Sequence, residues 1–177
     1  MNSSILIKKK DKFFVEDVCI DSIIEKFSTP TYIYSKQRIV DNFKNLESAF
    51  KNVDHLICFA VKANSNLAIL NLLAKNWAGF DIVSGGELRR VIAADGDPKK
   101  IVFSGVGKTS EEIKLAIENN ILAFNIESED ELTRIQEIAK SLSKHASISI
   151  RVNPDVDANT HPYISTGLKE NKFGVSE

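Results

Sequence analysis

The chain has 177 residues, 43% of them hydrophobic and 27% charged, which is an ordinary composition for a globular protein with a hydrophobic core. Its 23 basic and 24 acidic residues give a formal net charge of −1, so no basic excess is available to bind the phosphate backbone of a nucleic acid. Because no apolar run approaches the roughly 20 residues that span a bilayer, and the N-terminal basic cluster follows rather than precedes a short apolar stretch, we expect a cytoplasmic protein that binds no membrane.

Strand patterns and helix patterns alternate along the chain after an N-terminal segment. A helix is predicted from about residue 37 to residue 52, with Ile39, Val40, Phe43 and Leu46 at helical spacing. Five apolar strand patterns follow, beginning near residues 55, 79, 100, 122 and 147: HLICFAV, GFDIVS, KIVFSG, LAFNIES and SISIRVN. A repeated strand–helix unit of this kind predicts a parallel sheet.

The segments between the strands predict amphipathic helices. One of them places Leu70, Leu73 and Trp77 on one face, and the last has apolar residues at the same kind of spacing, namely Leu132, Ile135, Ala139 and Leu142. Three helix starts carry a capping box, in which a hydroxyl residue precedes a glutamate by three positions: Ser84 with Glu87, Thr109 with Glu112, and Ser128 with Glu131.

The faces of the strands distinguish a barrel from an open doubly wound sheet. In the strand CFAVK, Phe59 and Val61 point opposite to Cys58, Ala60 and Lys62. The other strands likewise have one apolar face and one small or polar face, whereas strands covered by helices on both sides are apolar throughout. The pattern therefore predicts an α/β fold, a partial (β/α)8 TIM-type barrel with about five of its eight units, whose site lies at the carboxyl ends of the strands.

Several motifs have simpler interpretations than the sites they suggest. SGVGKTS (104–110) lacks the first glycine of a nucleotide phosphate loop, because position 102 is Val102. The three histidines and two cysteines share no spacing typical of a zinc site or a disulfide framework, so no metal is expected. The SGGEL stretch (84–88) could bind an anion at a helix start, but a glycine pair that merely begins a helix is equally consistent with it.

Lys62 ends an apolar strand pattern, although lysine is rarely buried because its ammonium loses hydration. The simpler interpretation is a lysine whose stem is buried and whose ammonium reaches water. The predicted barrel favours another, since Lys62 would then point inward at the end where Asp81, Glu127 and Arg151 converge. A lysine held there can lose its proton and attack a carbonyl to form a Schiff base. The residues alone leave both interpretations open.

Seven motifs in register resemble the diaminopimelate decarboxylase family, in the alanine-racemase-like barrel class (fold type III) of pyridoxal-phosphate enzymes. They cover the chain from about Pro30 to its end: TPTYIYS (29–35), FAVKAN (59–64), FDIVSGGEL (80–88), IVFSGVGK (101–108), FNIESEDEL (124–132), RVNPDVDANTHPYISTG (151–167) and KFGV (172–175). One such motif is weak evidence for a family, and seven in order are strong evidence. Ser28 departs from the family pattern, which usually has glycine before the TP pair.

The resemblance implies a cofactor, a site and a domain organisation. Pyridoxal 5′-phosphate is the implied cofactor, Lys62 the lysine that binds it covalently, and Asp81 and Arg151 residues of the cofactor pocket. Residues 155–172 are implied to form a mobile loop over the site. Residues 1–34 form an N-terminal segment that belongs with a C-terminal β-domain, and residues 35–177 form part of the cofactor-binding barrel. We expect the chain to be the N-terminal portion of a homodimeric enzyme and to be inactive alone.

The implied reaction is decarboxylation of meso-2,6-diaminopimelate to L-lysine and carbon dioxide. An ornithine or arginine decarboxylase and an amino-acid racemase share the lysine motif, although a racemase usually continues KAN with an aromatic–glycine–histidine run and this chain reads KANSNLAIL. A non-catalytic cofactor carrier shares the barrel but should lack the long loop. An inert remnant with a binding role is the alternative outside enzymes altogether.

Overall fold

The protein is described by a computed structural model, in which residues 5–153 and 174–176 are placed. The chain divides into two compact units, Met1–His55 and Leu56–Glu177. The predicted domain boundary between residues 34 and 35 stays a prediction. The two compact units instead meet between His55 and Leu56, after the long helix of residues 36–49.

The first unit is an antiparallel sheet followed by two helices. Its strands are β1 (Leu6–Lys9), β2 (Lys12–Val15) and β3 (Val18–Cys19), and its helices are α1 (Ile20–Phe27) and α2 (Lys36–Ala49). The helix predicted for residues 37–52 is thus confirmed, with an end three residues earlier. The carboxylate of Glu16 accepts hydrogen bonds from the Gln37 N–H (2.8 Å) and the Ser35 hydroxyl (2.7 Å), and these bonds lower the pKa of Glu16. They tie the turn before β3 to the start of α2.

The second unit contains a five-stranded parallel sheet with the order β4-β5-β6-β7-β8. The strands are β4 (Cys58–Ala60), β5 (Gly79–Ile82), β6 (Ile101–Phe103), β7 (Ala123–Ile126) and β8 (Ile148–Ile150), so all five predicted strands are present. The helices are α3 (Leu67–Lys75), α4 (Gly85–Ala93), α5 (Ser110–Glu118) and α6 (Glu129–Ser141). Two short strands, β9 (Val152–Asn153) and β10 (Val175–Ser176), pair in parallel beyond β8.

The sequential strand order places the helices on one face of the sheet. Right-handed crossovers between neighbouring parallel strands always return on the same side, and a doubly wound sheet needs a reversal of strand order to cover both sides. Each helix from α3 to α5 accordingly contacts the next one along the chain. This arrangement is the one found in a (β/α) barrel, as the strand faces predict.

The two faces of the sheet differ as the sequence predicts. The helix-covered face is apolar and buried, with side chains from three neighbouring strands: Phe80, Ile82, Ile101, Phe103, Phe124 and Ile126. The rings of Phe103 and Phe124 stack with their centroids 6.0 Å apart. The opposite face carries a row in which Ala60, Asp81 and Val102 are register partners. Polar groups therefore lie on the face that the helices leave uncovered.

Trp77 is not a core residue, contrary to the predicted helix face. Helix α3 ends at Lys75, and Trp77 takes a left-handed conformation (φ 69°) that directs its side chain to solvent, where it is 76% exposed. The Trp77 N–H bonds the Ala74 carbonyl and the Ala78 N–H bonds the Leu73 carbonyl, which is the Schellman pattern of a helix end. The helical spacing of apolar residues extends to Trp77, although the helix itself ends at Lys75. Such spacing does not reveal where a helix ends.

Each of the three predicted capping boxes lies at the start of a helix, but only the one at Thr109 has both of its hydrogen bonds. Thr109 and Glu112 exchange both bonds. Ser84 and Ser128 accept the expected N–H, whereas the paired glutamates bond the residue before the cap: Glu87 reaches the Val83 N–H (2.8 Å) and Glu131 the Glu127 N–H (2.7 Å). These two carboxylates fix the ends of the preceding strands.

Ser28 has a backbone conformation that normally requires glycine. Its φ of 64° and ψ of −173° lie in a region where a Cβ is strained by about 1–3 kcal/mol. Glycine removes that strain and loses part of the gain to its greater freedom in the unfolded chain. We therefore predict that Ser28→Gly raises the free energy of unfolding by about 1 kcal/mol.

Urea unfolding followed by far-ultraviolet circular dichroism measures this change. Ser28→Ala is the matched control, since it removes the hydroxyl but keeps the Cβ, and it should give no gain. A Ser28→Gly variant no more stable than Ser28→Ala contradicts the strain at this position.

Candidate functional site

Lys62 lies at the carboxyl edge of the parallel sheet, beyond the end of its strand. Strand β4 ends at Ala60, two residues earlier than the predicted pattern, and a 3₁₀ turn of residues 61–63 follows. Val61 is buried at the first position of that turn, and Lys62 is exposed. The strand alternation used to orient Lys62 therefore stops before it. Within the described residues, the Lys62 ammonium has no hydrogen bond and no ion pair.

Asp81 is held by a chain of hydrogen bonds on the face that the helices leave uncovered. The Ser104 hydroxyl donates to Asp81 Oδ1 over 2.5 Å, and Asn125 Nδ2 donates to Ser104 Oγ over 2.9 Å. Because the Asn125 amide donates to Ser104 Oγ, the hydroxyl hydrogen is available for the aspartate. The chain fixes the Asp81 carboxylate with a charge-assisted bond.

Cys58 lies on β4, next to β5, which carries Asp81. Burial raises the pKa of the Cys58 thiol, and the negative charge of Asp81 adds to the rise. The thiol is therefore kept protonated, which disfavours its action as a nucleophile or a metal ligand.

Glu127 and Arg151 form an ion pair at the ends of β7 and β8. Arg151 Nη1 lies 3.2 Å from Glu127 Oε1, with the glutamate side chain 3% exposed and the arginine side chain 40% exposed. The same carboxylate accepts the N–H groups of Gly105 (3.2 Å) and Gly174 (3.0 Å). A cleft of about 290 Å³ opens here, lined by Ser104, Asn125, Glu127, Ser149 and Arg151.

The structure brings the predicted site residues together in part. Glu127 and Arg151 are in contact, and Asp81 reaches the same cleft through Ser104 and Asn125. Lys62 shares the edge of the sheet without bonding any of them. Ser104 and Asn125 were not among the predicted site residues. The alternation of LAFNIES already placed Asn125 on the polar face of its strand, and that signal could have identified it.

The SGGEL stretch begins helix α4 and has an internal partner. The Gly85 N–H donates to Glu112 Oε1 over 2.8 Å, and a Cβ at Gly85 would lie 2.9 Å from Glu112 Cγ. Burial opposes ionisation of Glu112, but bonds from Gly85 and from the Thr109 N–H and hydroxyl lower the pKa of Glu112 overall. A side chain at Gly85 would therefore have to displace the Glu112 side chain of the next helix.

Lys108 of the SGVGKTS stretch is buried and paired. Its ammonium donates to Glu131 Oε1 (2.6 Å) and to the carbonyls of Gly105 (2.7 Å) and Asn125 (2.9 Å). All three N–H bonds are satisfied, so this lysine has none left for a phosphate. The prediction that the stretch is a strand-to-helix turn is consistent with this geometry.

Three further features that the sequence analysis considered are a mobile loop, a metal site and a membrane span. The predicted loop of residues 155–172 falls outside the described residues. In residues 5–153 and 174–176, no three His, Cys, Asp or Glu side chains are grouped so that they could hold a metal ion. Over the same part of the chain, no helix is long and apolar enough to cross a membrane.

The described chain holds a five-stranded parallel sheet with helices on one face, which is part of a (β/α) barrel, and Lys62, Asp81 and Arg151 lie toward its carboxyl edge. Residues 36–177 match the family described as "Pyridoxal-dependent decarboxylase, pyridoxal binding domain". The chain therefore belongs to this family. Pyridoxal phosphate is the cofactor that the family membership implies.

Relatives within the family are diaminopimelate decarboxylases. The chain is 58% identical to that of Pseudomonas fluorescens over 166 residues and 56% identical to that of Haemophilus influenzae over 168 residues. These matches cover 93% and 95% of this chain, which spans 40% of the length of each relative.

Solved structures share the fold. The Helicobacter pylori diaminopimelate decarboxylase, crystallised with L-lysine, superposes with a TM-score of 0.86 at 53% identity and covers 89% of this chain and 40% of its own. The enzyme of M. jannaschii gives 0.88 at 45% identity, over 97% of this chain and 41% of its own. The predicted fold, a partial barrel of the fold-type III pyridoxal-phosphate enzymes, is confirmed.

Proposed function

We propose that this chain is the cofactor-binding part of a decarboxylase that converts meso-2,6-diaminopimelate to L-lysine and carbon dioxide. The observation that supports the proposal most is the identity of 58% to a diaminopimelate decarboxylase over 93% of the chain. The arginine decarboxylase of Paramecium bursaria Chlorella virus is 23% identical, so its likeness supports the fold alone. Diaminopimelate is therefore favoured over ornithine and arginine as the substrate.

The described residues fit pyridoxal phosphate. Lys62 supplies an exposed amine without a hydrogen-bond partner in the described chain, which is what covalent attachment to the cofactor aldehyde requires. Asp81 and Arg151 supply an anion and a cation on the same edge of the sheet. The Gly85 N–H is bonded to Glu112, so the start of α4 is not offered as the phosphate cradle.

Three residues at this edge of the sheet have separate proposed roles in binding and orienting the cofactor and the substrate. When bound, pyridoxal phosphate accepts the electron pair that the departing carboxylate leaves behind. Lys62 Nζ holds the cofactor, and Asp81, fixed by Ser104, keeps its charge in one place. Arg151, fixed by Glu127, presents its guanidinium to a cleft large enough for part of an amino acid. Diaminopimelate carries a second amino-acid group at the end away from the reacting carbon. Its ammonium and carboxylate are charges that such a cleft can bind.

Assembly and location form part of the same proposal. We infer a homodimer in the cytoplasm for the complete protein, with an amino acid as its small-molecule partner and no nucleic acid or membrane partner. The support for this is the near-neutral charge and the family membership.

Lys62 is predicted to carry the cofactor. Borohydride reduction of the complete protein should fix pyridoxal phosphate to Lys62, and peptide mapping by mass spectrometry should locate it there. Lys62→Ala should lose the label and lower kcat on the order of a thousandfold, because no other group replaces a covalent anchor. Lys75→Ala, which changes an exposed lysine at the far end of α3, is the matched control and should keep both. A label on Lys75, Lys108 or any other lysine would refute the assignment.

The substrate is predicted to be meso-diaminopimelate. Its kcat/KM for carbon dioxide release should exceed those of ornithine and arginine by about a hundredfold or more, because a site that bonds a distal amino-acid head group rejects substrates without it. Equal specificity constants for ornithine and diaminopimelate would move the protein to the other decarboxylases of the class.

Residues 1–177 alone are predicted to associate and to show no decarboxylase activity. In the described sheet, β8 is an edge strand whose Ile148 and Ile150 are 40% and 57% exposed. These side chains extend the apolar row of Phe124 and Ile126, their register partners. An exposed apolar strand edge invites pairing with other chains.

Sizing chromatography of residues 1–177 tests this prediction. Ile150→Lys should reduce association, because a charge on an edge strand opposes pairing. Val53→Lys, which changes an equally exposed apolar residue of the first unit, is the matched control and should not reduce it. A monodisperse monomer that binds pyridoxal phosphate tightly and decarboxylates diaminopimelate would contradict the prediction.

A further inference from the structure

The ion pair of Lys108 and Glu131 is buried and takes no part in the function proposed above. Lys108 Nζ lies 2.6 Å from Glu131 Oε1, and the two side chains are 0% and 8% exposed. A buried ion pair contributes little net stability, since the cost of removing both charges from water offsets their attraction. The role of the pair is therefore inferred from the groups to which Lys108 and Glu131 are hydrogen-bonded.

The Lys108 ammonium joins the ends of two neighbouring strands. Its bonds to the carbonyls of Gly105 and Asn125 connect the turn after β6 to β7. The side chain of Asn125 lines the cleft and donates to Ser104 Oγ, which in turn bonds Asp81. Lys108 thus fixes the backbone from which a residue of the cleft projects.

Glu131 continues the connection to the other half of the cleft. Its Oε2 accepts the Glu127 N–H over 2.7 Å, and the Glu127 carboxylate holds Arg151 and the Gly174 N–H. A continuous path of bonds therefore runs from Lys108 through Glu131 and Glu127 to Arg151. The first two links, of 2.6 and 2.7 Å, are short and buried, and they restrict the Glu127 backbone to one geometry; the last link, of 3.2 Å, joins the buried Glu127 carboxylate to the partly exposed Arg151.

We propose that Lys108 and Glu131 are positioning residues of the site. They touch neither substrate nor cofactor; they hold Glu127, and through it the guanidinium of Arg151, in the orientation that the cleft requires. The inference rests on the proposed function in so far as Arg151 binds the cofactor or the amino acid. Arg151 is 40% exposed, so a fixed carboxylate beside it limits the conformations that a long side chain would otherwise sample.

Lys108→Met is the variant that tests the proposal, with Lys144→Met as its matched control. Lys144 Nζ also donates to three oxygens, those of Ile117 (3.3 Å), Glu118 (3.1 Å) and the Asn120 side chain (3.1 Å), but at the opposite end of α5 from the cleft. Both substitutions remove an ammonium with three bonds and keep a similar stem. They differ in burial, in the ion pair that Lys108 makes with Glu131, and in their connection to Arg151, so the exchange rates are compared after correction for global stability.

Amide hydrogen exchange in the complete protein without cofactor is the first measurement. The Gly174 N–H bonds Glu127 and has no bond to the ion pair, so it reports whether Glu127 stays in place. After correction for global stability, Lys108→Met should speed its exchange about tenfold, and Lys144→Met should leave it unchanged. Unchanged exchange of Gly174 in Lys108→Met overturns the proposal.

A double-mutant cycle with Arg151→Ala is the second measurement, read as the affinity for pyridoxal phosphate. Lys108→Met should weaken binding about tenfold when Arg151 is present and less than about twofold when it is alanine. Additive effects would overturn the proposal, because a residue that only supports the fold acts equally in both backgrounds. If the unaltered protein binds no pyridoxal phosphate, the proposed function fails, and the exchange of Gly174 still decides the role of the pair.

The variant Lys108→Met with Glu131→Leu separates positioning from folding. Replacing both charges by apolar side chains restores much of the stability that removing one charge costs. The Glu127 N–H still loses its acceptor, so rapid exchange of Gly174 should persist in a stable protein. Exchange at the original rate in this double variant overturns the proposal, even if Lys108→Met alone fails to fold.

Discussion

The parallel, sequential pairing of β4 to β8 is the constraint on which the candidate site depends. It places every crossover helix on one face, so the opposite face can hold Asp81 and Asn125 without a cover of apolar side chains. It also brings all five carboxyl ends to one edge. Residues from separate loops reach that edge: Ser104 and Arg151 directly follow β6 and β8, and Lys62 lies two residues beyond the end of β4. The strand order therefore determines which residues come together at the site, and side-chain contacts then orient them.

Carboxylates hold the loops of this edge. Three glutamates at the third position of their helices each bond a backbone N–H outside their own helix: Glu87 with Val83, Glu112 with Gly85, and Glu131 with Glu127. Such bonds are stronger than neutral ones and allow a loop to be rigid while it stays polar. A site that must admit a charged amino acid gains from loops of this kind, because apolar packing would close the space the ligand needs.

The sequence predicts the architecture well and the contacts poorly. Strand order, helix starts and the two faces of the sheet follow from local periodicity, which is why β5 begins where it was expected. Trp77 was wrongly placed on one helix face with Leu70 and Leu73, because the spacing of apolar residues does not reveal a left-handed helix end. Lys62 was placed on a strand for the same reason, since alternation does not register the 3₁₀ turn at Val61. The bonds of Ser104 with Asp81 and Asn125 join three strands, and no local pattern encodes which polar residues of different strands meet.

Two lysines follow strands of the same sheet, Lys62 after β4 and Lys108 after β6, and their surroundings differ. Lys108 is buried, and its three N–H groups are already bonded to the Gly105 and Asn125 carbonyls and to a carboxylate 2.6 Å away. Lys62 has no such partner in the described chain, and its turn carries it past the end of β4 to the open edge. A lysine that bonds a carbonyl carbon must become neutral and must be reached by its ligand. Lys108 is the buried lysine, but its burial and its bonds argue against it as the cofactor lysine. The exposed Lys62 is favoured instead.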